Sequence, residues 1–183
     1  MAFTFILAGF LKGEELYEPE YKLINSNDDI EIREYSDIIL ASTRIDRSYE
    51  EATSPGFRVL ANYIFGNNNT NEQIPMTAPV LTTMPGKEYI NMSFVMSTDY
   101  TMQSLPSPNT DKIKFHTLKL GKAVVIKFGM WATPQRIKKM KLKLEEYINK
   151  NNLEVISDYY VAQYNSPWVM PPFRRNEVIV SIK

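Results

Sequence analysis

The chain has 183 residues, and its 21 lysines and arginines are balanced by 21 aspartates and glutamates. It contains no cysteine and a single histidine, His116. These counts exclude disulfides, thiol nucleophiles, iron–sulfur clusters and histidine-rich metal sites. The balanced charge argues against a general affinity for nucleic acid or anionic membranes, and the length fits one domain.

The first 20 residues read as an arm and a linker that precede a single domain over residues 21–183. Residues 2–11 are apolar but too short to span a bilayer. They have no basic residues before them and no clear cleavage site after them, so they do not fit a secretory signal. We therefore expect a cytoplasmic protein without a membrane span.

The segments that follow predict strands. Residues 21–24 begin one strand, residues 30–35 alternate apolar and polar side chains, and residues 37–46 form the next strand. Two prolines in residues 74–81 predict an edge or irregular strand there. Residues 88–97 form a clearer strand before the long loop at 99–111.

A helix is predicted between these strands. Residues 48–51 match a capping box, but Pro55 favours a start with Ser54 as N-cap and Pro55 in the first helical position. Gly66 ends the helix. One apolar helical face is formed by Phe57, Leu60, Ala61 and Ile64.

The second half of the chain repeats the pattern. Thr133 and Pro134 begin a helix, which ends near Asn151. Its arginine and five lysines predict a solvated face, partly offset by two glutamates, rather than a nucleic-acid patch. The flanking strands are predicted at residues 112–120, 123–131, 159–164 and 177–182.

Both halves thus predict two strands, a helix and two strands, as pseudo-repeats over residues 21–98 and 111–183. This pattern predicts an α+β fold: two sheets, or one distorted β-barrel of about eight strands, with two helices packed outside. A cleft between pseudo-symmetric halves is a usual place for a ligand.

Three motifs give the chain a resemblance to a known family. They are the hairpin from Tyr21 to the end of Glu31-Ile32-Arg33-Glu34-Tyr35, the segment Ile74-Pro75-Met76-Thr77-Ala78-Pro79-Val80, and the segments Tyr164-Asn165-Ser166-Pro167-Trp168 and Pro172-Phe173-Arg174-Arg175-Asn176-Glu177-Val178. On these motifs residues 21–183 resemble the SOUL haem-binding protein family.

The resemblance implies a distorted barrel of two ββαββ halves, similar to the effector-binding domains of some bacterial transcription regulators. It also implies non-covalent binding of haem or another tetrapyrrole, in a shallow apolar site formed by the first helix and the loop that begins at Tyr164. We expect a haem carrier, buffer or sensor that is not an enzyme and does not bind nucleic acid. We favour a monomer.

A tetrapyrrole needs an apolar surface for its ring and cations for its propionates. The apolar face of the first helix could supply the surface, and Arg58, Arg174 or Arg175 could meet the propionates. The same helix residues could instead be core, and the two loop arginines could brace the loop. The candidate ligand-binding residues are Phe57, Arg58, Leu60, Ala61, Ile64, Tyr164, Trp168, Arg174 and Arg175.

Haem iron takes an axial histidine, methionine or tyrosine, which makes His116, Met76 and Tyr164 the candidates. By alternation His116 shares a strand face with Lys114 and Leu118. The family does not depend on one fixed axial histidine, so the resemblance assigns no ligand.

Two alternatives stay open. In a small-molecule hydrolase or tetrapyrrole-modifying enzyme, Glu177 would be the base, with Tyr164 and Trp168 as pocket walls, because burial can raise a carboxyl pKa. The other alternative is a protein-interaction module.

Overall fold

The computed structural model describes residues 16–166 and 168–183, so the predicted apolar arm lies outside the described residues. Within them it contains nine strands and two α-helices. In chain order these are β1 (Tyr21–Asn27), β2 (Ile30–Tyr35), β3 (Ile38–Ile45), α1 (Tyr49–Ile64), β4 (Val80–Thr83), β5 (Ile90–Val95), β6 (Ile113–Leu118), β7 (Lys122–Phe128), α2 (Pro134–Lys150), β8 (Tyr160–Gln163) and β9 (Asn176–Ser181).

All nine strands belong to one antiparallel sheet, in the order β1-β2-β7-β9-β8-β4-β5-β3-β6. The sheet is not closed, because β1 and β6 stand at its two ends. The strand order is pseudo-symmetric about the central β4–β8 pair. On one side of this pair lie β5, β3 and β6, and on the other side the corresponding strands are β9, β7 and β2. Strands β2 and β6 therefore each pair with a strand from the other half of the chain. This arrangement confirms the predicted α+β fold of two ββαββ halves, with β1 as an additional strand outside them.

Both helices cover the same face of the sheet. Leu60 and Ile64 of α1 pack with Met92 and Phe94 of β5 in one buried cluster. Ile137 and Leu144 of α2 pack in another, with residues of β7 and β9. Because side chains alternate along a strand, the intervening residues form a separate cluster on the opposite face, which we call the helix-free face.

The start of α1 differs from the prediction. The helix begins at Tyr49 after Ser48, and Pro55 lies inside it rather than at its first position. An interior proline costs about 3 kcal/mol. The buried side chains of Tyr49 and Ala52 offset that cost by anchoring the additional turns in the core. The start of α2 is confirmed, since Thr133 Oγ1 accepts a hydrogen bond from the Arg136 N–H at 3.3 Å.

The proline-containing segment lies just before β4 and outside the regular strands. The strand begins at Val80 and pairs on both sides, so the irregular part of the prediction is confirmed and the edge part is wrong. Ala78 N–H donates to the Tyr17 carbonyl at 2.9 Å, and Thr77 forms a parallel bridge with Tyr17. These contacts hold residues 17–18 against the sheet.

Candidate functional site

A buried charged cluster occupies one half of the helix-free face. The alternation of β2 puts Glu31, Arg33 and Tyr35 on this face, and all three side chains are buried. The apolar residues Ile30 and Ile32 are only partly buried on the other face. The more deeply buried side of β2 is therefore its charged side, which requires that each charge find a partner.

Arg33 and Glu177 form the centre of this cluster. Arg33 Nη1 and Nη2 donate to the two Glu177 carboxylate oxygens, each at 2.9 Å. Tyr164 Oη donates to Glu177 Oε2 at 2.7 Å, and Arg175 Nε donates to Oε1 at 3.3 Å. Each oxygen of Glu177 thus accepts two hydrogen bonds.

The cluster raises the pKa values of Arg33 and Tyr164. Burial alone would lower the pKa of Arg33, but its hydrogen bonds and charge interaction with Glu177 raise that pKa above its ordinary value. Burial and the nearby Glu177 raise the pKa of Tyr164 as well. Tyr164 therefore stays protonated and acts as a hydrogen-bond donor.

Further charges surround this centre. Glu31 accepts from Arg33 Nε at 2.7 Å and also pairs with Lys127. Arg175 stacks over the Tyr164 ring at 3.5 Å and donates to Glu18 at 2.9 Å. Because Glu18 belongs to the segment held beside Thr77, this half of the face is filled and covered.

The arrangement bears on the alternative in which Glu177 is a general base. A general base must accept a proton from a reactant within hydrogen-bond reach. The oxygens of Glu177 already accept from Arg33, Tyr164 and Arg175. The geometry therefore favours a structural role for Glu177, as the anion that neutralises Arg33.

The other half of the helix-free face is open. A groove of about 520 Å³ lies there, within the size range of small-molecule sites. Its lining residues come mainly from β3, β4, β5 and β6 and from the loops beside them. They are Leu40, Ser42, Thr43, Arg44, Leu81, Thr82, Thr83, Asn91, Ser93, Asp111, Lys112, Lys114, His116, Asp158 and Tyr160.

Polar and apolar groups alternate across this groove. Leu40 and Leu81 belong to the buried cluster of this face, and Ser42 and Ser93 share an Oγ–Oγ hydrogen bond of 2.6 Å. His116 is exposed at the strand surface, and partial burial of its ring lowers its pKa, which favours the neutral imidazole. A neutral imidazole nitrogen can bind a metal ion or accept a hydrogen bond.

The predicted binding residues on α1 do not line this groove. Leu60, Ala61 and Ile64 are buried, with Leu60 and Ile64 in the core beneath the helix. Phe57 packs against the same core and contacts Phe94 at a ring distance of 5.2 Å. Arg58 is exposed.

The predicted loop residues fall into two groups. Tyr164 and Arg175 belong to the charged cluster around Glu177. Arg174 is buried and stacks over the Trp131 ring at 3.8 Å, whereas Trp168 is largely exposed.

Of the three candidate iron ligands, only His116 lines the groove. Met76 packs against the core beneath α1. Tyr164 is engaged with Glu177. His116 does share its strand face with Lys114, as the alternation predicted, while Phe115 packs on the helix-covered side.

The sequence prediction missed Arg33 as a partner of Glu177 and the serines at the base of the groove. The signal for Arg33 was present, because charged residues at alternate positions of β2 share a face with Tyr35. Nothing in the sequence distinguished Ser42 and Ser93 from other strand serines. No group of three or more histidine, aspartate or glutamate side chains within residues 16–166 and 168–183 could hold a metal ion.

The fold defines an α+β class of protein, with an open antiparallel sheet covered by helices on one face. Residues 16–181 match the sequence profile of the SOUL heme-binding protein family, so the chain belongs to that family. A search of curated proteins found no match. Neither described helix is long and apolar enough to cross a membrane.

Solved structures support the fold. The crystal structure of the EcmrR C-terminal domain is similar, with a TM-score of 0.66 and 11% identity, over 89% of this chain and 98% of that one. A structure described as a hydrolase from Listeria innocua has a TM-score of 0.56 and 7% identity, over 98% of both chains. At these identities the likeness shows the fold alone.

Proposed function

We propose that this protein binds haem or a related tetrapyrrole non-covalently in the groove of the helix-free face, and that it carries, buffers or senses that ligand without chemical turnover. Membership of the SOUL heme-binding protein family gives the ligand class. The observation that carries the choice of site is that His116, the only histidine of the chain, lines the groove beside apolar and cationic side chains.

The groove has the groups that a tetrapyrrole requires. Leu40 and Leu81 are buried beneath the groove, the partly buried ring of Tyr160 offers an apolar contact to the macrocycle, and Lys112, Lys114 and Arg44 are cations for the propionates. Asp111 and Asp158 also line the groove, so the propionates would face the lysine side. When bound, the iron would supply a coordination position that His116 can fill, since no hydrogen bond occupies its imidazole among the described residues.

A haemin titration followed by visible absorption tests the proposal, with metal-free protoporphyrin as a second ligand. We expect a saturable Soret shift in the wild type. His116→Ala should change the position of the ferric Soret band while protoporphyrin still binds, because only the iron uses the imidazole. Lys114→Glu should weaken both ligands by about 10-fold or more, because it replaces a cation beside the propionates with an anion.

Arg58→Glu is the matched control, because it reverses one exposed charge on α1 instead of one in the groove. It should leave both affinities unchanged. If Arg58→Glu weakens binding and Lys114→Glu does not, the ligand binds beside α1, as the family resemblance implies, and the groove assignment is wrong. If neither porphyrin binds the wild type, the proposed function itself is rejected.

A further inference from the structure

Five large apolar side chains project into solvent from two adjacent loops. Trp168, Phe173 and Met170 are 76%, 74% and 65% exposed, and Trp131 and Met130 are also exposed. Single exposed apolar residues are common, but a contiguous group of them indicates an interaction site. We call these five residues the two-loop surface.

Hydrogen bonds and a stacking contact fix the conformation of the two-loop surface. Met130 N–H donates to the Pro171 carbonyl, and the Asn176 side-chain amide donates to the Met130 carbonyl, each at 2.9 Å. Trp131 is stacked by Arg174, which also donates to the Val169 carbonyl at 2.9 Å. Met130 has a φ of +69°, a conformation that costs energy for a large side chain. These contacts hold the apolar tips outwards.

A concentrated positive charge begins beside this surface. Helix α2 starts three residues after Trp131, and its first ten positions contain no acidic residue. Those positions carry Arg136, Lys138, Lys139, Lys141 and Lys143, of which Lys141 forms an ion pair with Glu145. A helix N-terminus favours acidic residues, because the helix dipole is positive there. Helix stability therefore does not explain this charge pattern.

The exposed side of this helical segment carries three lysines around one apolar side chain. Lys138, Lys139 and Lys143 are exposed, and Leu142, which is 52% exposed, lies among them. Helical rise is about 1.5 Å per residue, so Lys143 lies within roughly 15 Å of the start of the helix along its axis. The chain is neutral as a whole, and this basic segment is a local feature.

We propose that the two-loop surface and the basic first half of α2 together dock this protein onto an anionic lipid bilayer. Tryptophan, phenylalanine and methionine tips suit the interface between headgroups and acyl chains. Lysines beside them attract acidic lipid headgroups. Two such signals in one place provide the combination that stable peripheral binding needs. The two-loop surface and the basic segment of α2 share no residue with the groove of the helix-free face.

Intrinsic fluorescence reports directly on this docking, because the two tryptophans of the chain, Trp131 and Trp168, both belong to the two-loop surface. The full chain is mixed with phosphatidylcholine vesicles that contain about one third phosphatidylserine, and sedimentation is measured in parallel. We expect a blue shift of the emission and co-sedimentation. Both should weaken as salt is added, and pure phosphatidylcholine vesicles should bind much less.

Two variants test the two parts of the surface separately. Phe173→Ser with Met170→Ser should lower the vesicle partition coefficient by about 10-fold or more, since exposed apolar area is lost. Lys138→Glu, Lys139→Glu and Lys143→Glu together should lower it by about 100-fold. Matched controls replace exposed residues elsewhere. They are Ile156→Ser for the apolar variant, and Lys22→Glu, Lys87→Glu and Lys119→Glu together for the charge variant.

Three outcomes would overturn the proposal. The first is the absence of a blue shift and of sedimentation with anionic vesicles. The second is unchanged binding in both test variants, which would trace binding to another part of the chain such as the apolar residues 2–11, or equal loss of binding in the matched controls, which would trace it to general charge. The third is a fluorescence response to duplex DNA but not to vesicles, which would assign the basic segment to nucleic acid.

Discussion

The two halves of the helix-free face have the same strand arrangement and opposite chemistry. Across the central pair, Leu81 of β4 is opposite Ala162 of β8. On the next strands outwards, Leu81 is opposite Ser93 of β5, and Ala162 is opposite Glu177 of β9. One strand further out, Ser93 is opposite Ser42, and Glu177 is opposite Lys127. Small polar residues in the open half thus correspond to large charged residues in the filled half.

This difference explains why only one half has a groove. In the filled half, Arg33 reaches Glu177, and the tyrosine and arginine around them occupy the remaining space. In the open half, the short hydroxyl side chains of Ser42 and Ser93 share one hydrogen bond and leave room above the sheet. Side-chain volume on a shared backbone frame therefore decides which half is filled and which has a groove.

The largest expected effect comes from breaking the filled half. Arg33→Met removes the cation and leaves Glu177 buried without its main partner, which should cost about 3–5 kcal/mol of unfolding free energy. Arg33→Met combined with Glu177→Met should recover much of that loss, because no uncompensated charge remains. Urea denaturation measures both.

Lys114→Met is the control for this comparison, because it removes a cation from the open half. Lys114 is exposed, so the change should stay within about 0.5 kcal/mol. An Arg33→Met protein as stable as Lys114→Met would show that the buried cluster does not support the fold as described.

A smaller effect is expected when charged side chains of the filled half are introduced at the corresponding positions of the open half. Ser42→Lys with Ser93→Glu introduces the side chains of the corresponding positions and should fill the groove. We expect porphyrin affinity to fall by about 10-fold or more, with a stability cost of about 1–3 kcal/mol from crowding. Absorption titration and urea denaturation measure the two effects.

The control is Ser42→Ala with Ser93→Ala, which keeps the groove open and removes only the hydrogen bond between the serines. Its stability cost should be about 0.5–1.5 kcal/mol, and porphyrin should still bind. Full affinity in the Lys–Glu variant would place the ligand outside the groove.

The sequence predicted the fold well because its signals are local. Alternation located β2, the Thr133–Pro134 pair located the start of α2, and Gly66, with a φ of +103°, follows the end of α1. The start of α1 was missed because burial of Tyr49 outweighs the local preference that Pro55 expresses.

The site was harder to predict because it depends on pairing between distant strands. Arg33 and Glu177 are 144 residues apart and meet only through the crossed position of β2 beside β7. The apolar pattern of α1 does not distinguish a face that contacts a ligand from a face that packs on the core. In the structure, Leu60 and Ile64 pack on the core. The division of the domain into residues 21–98 and 111–183 and the residues of the ligand site stay predictions.

The smallest expected effect is a pair of pH dependences at corresponding positions of the two halves. Glu31 is opposite Val125, and His116 is opposite Leu40. Burial alone would raise the pKa of Glu31, but hydrogen bonds from Lys127 and Arg33 lower it below its ordinary value. For His116, burial lowers the pKa.

Both groups bind protons more readily in the unfolded chain, so both reduce stability as the pH falls, but in different ranges. The loss from His116 begins near the ordinary histidine pKa of about 6.5, and the loss from Glu31 begins near about 4.3. Urea midpoints measured between these values and below them should separate the two. His116→Asn should flatten only the upper range, and Glu31→Gln only the lower. If Glu31→Gln and the wild type lose stability in parallel below about pH 4.3, the ion pairs of Glu31 with Arg33 and Lys127 do not stabilise the filled half.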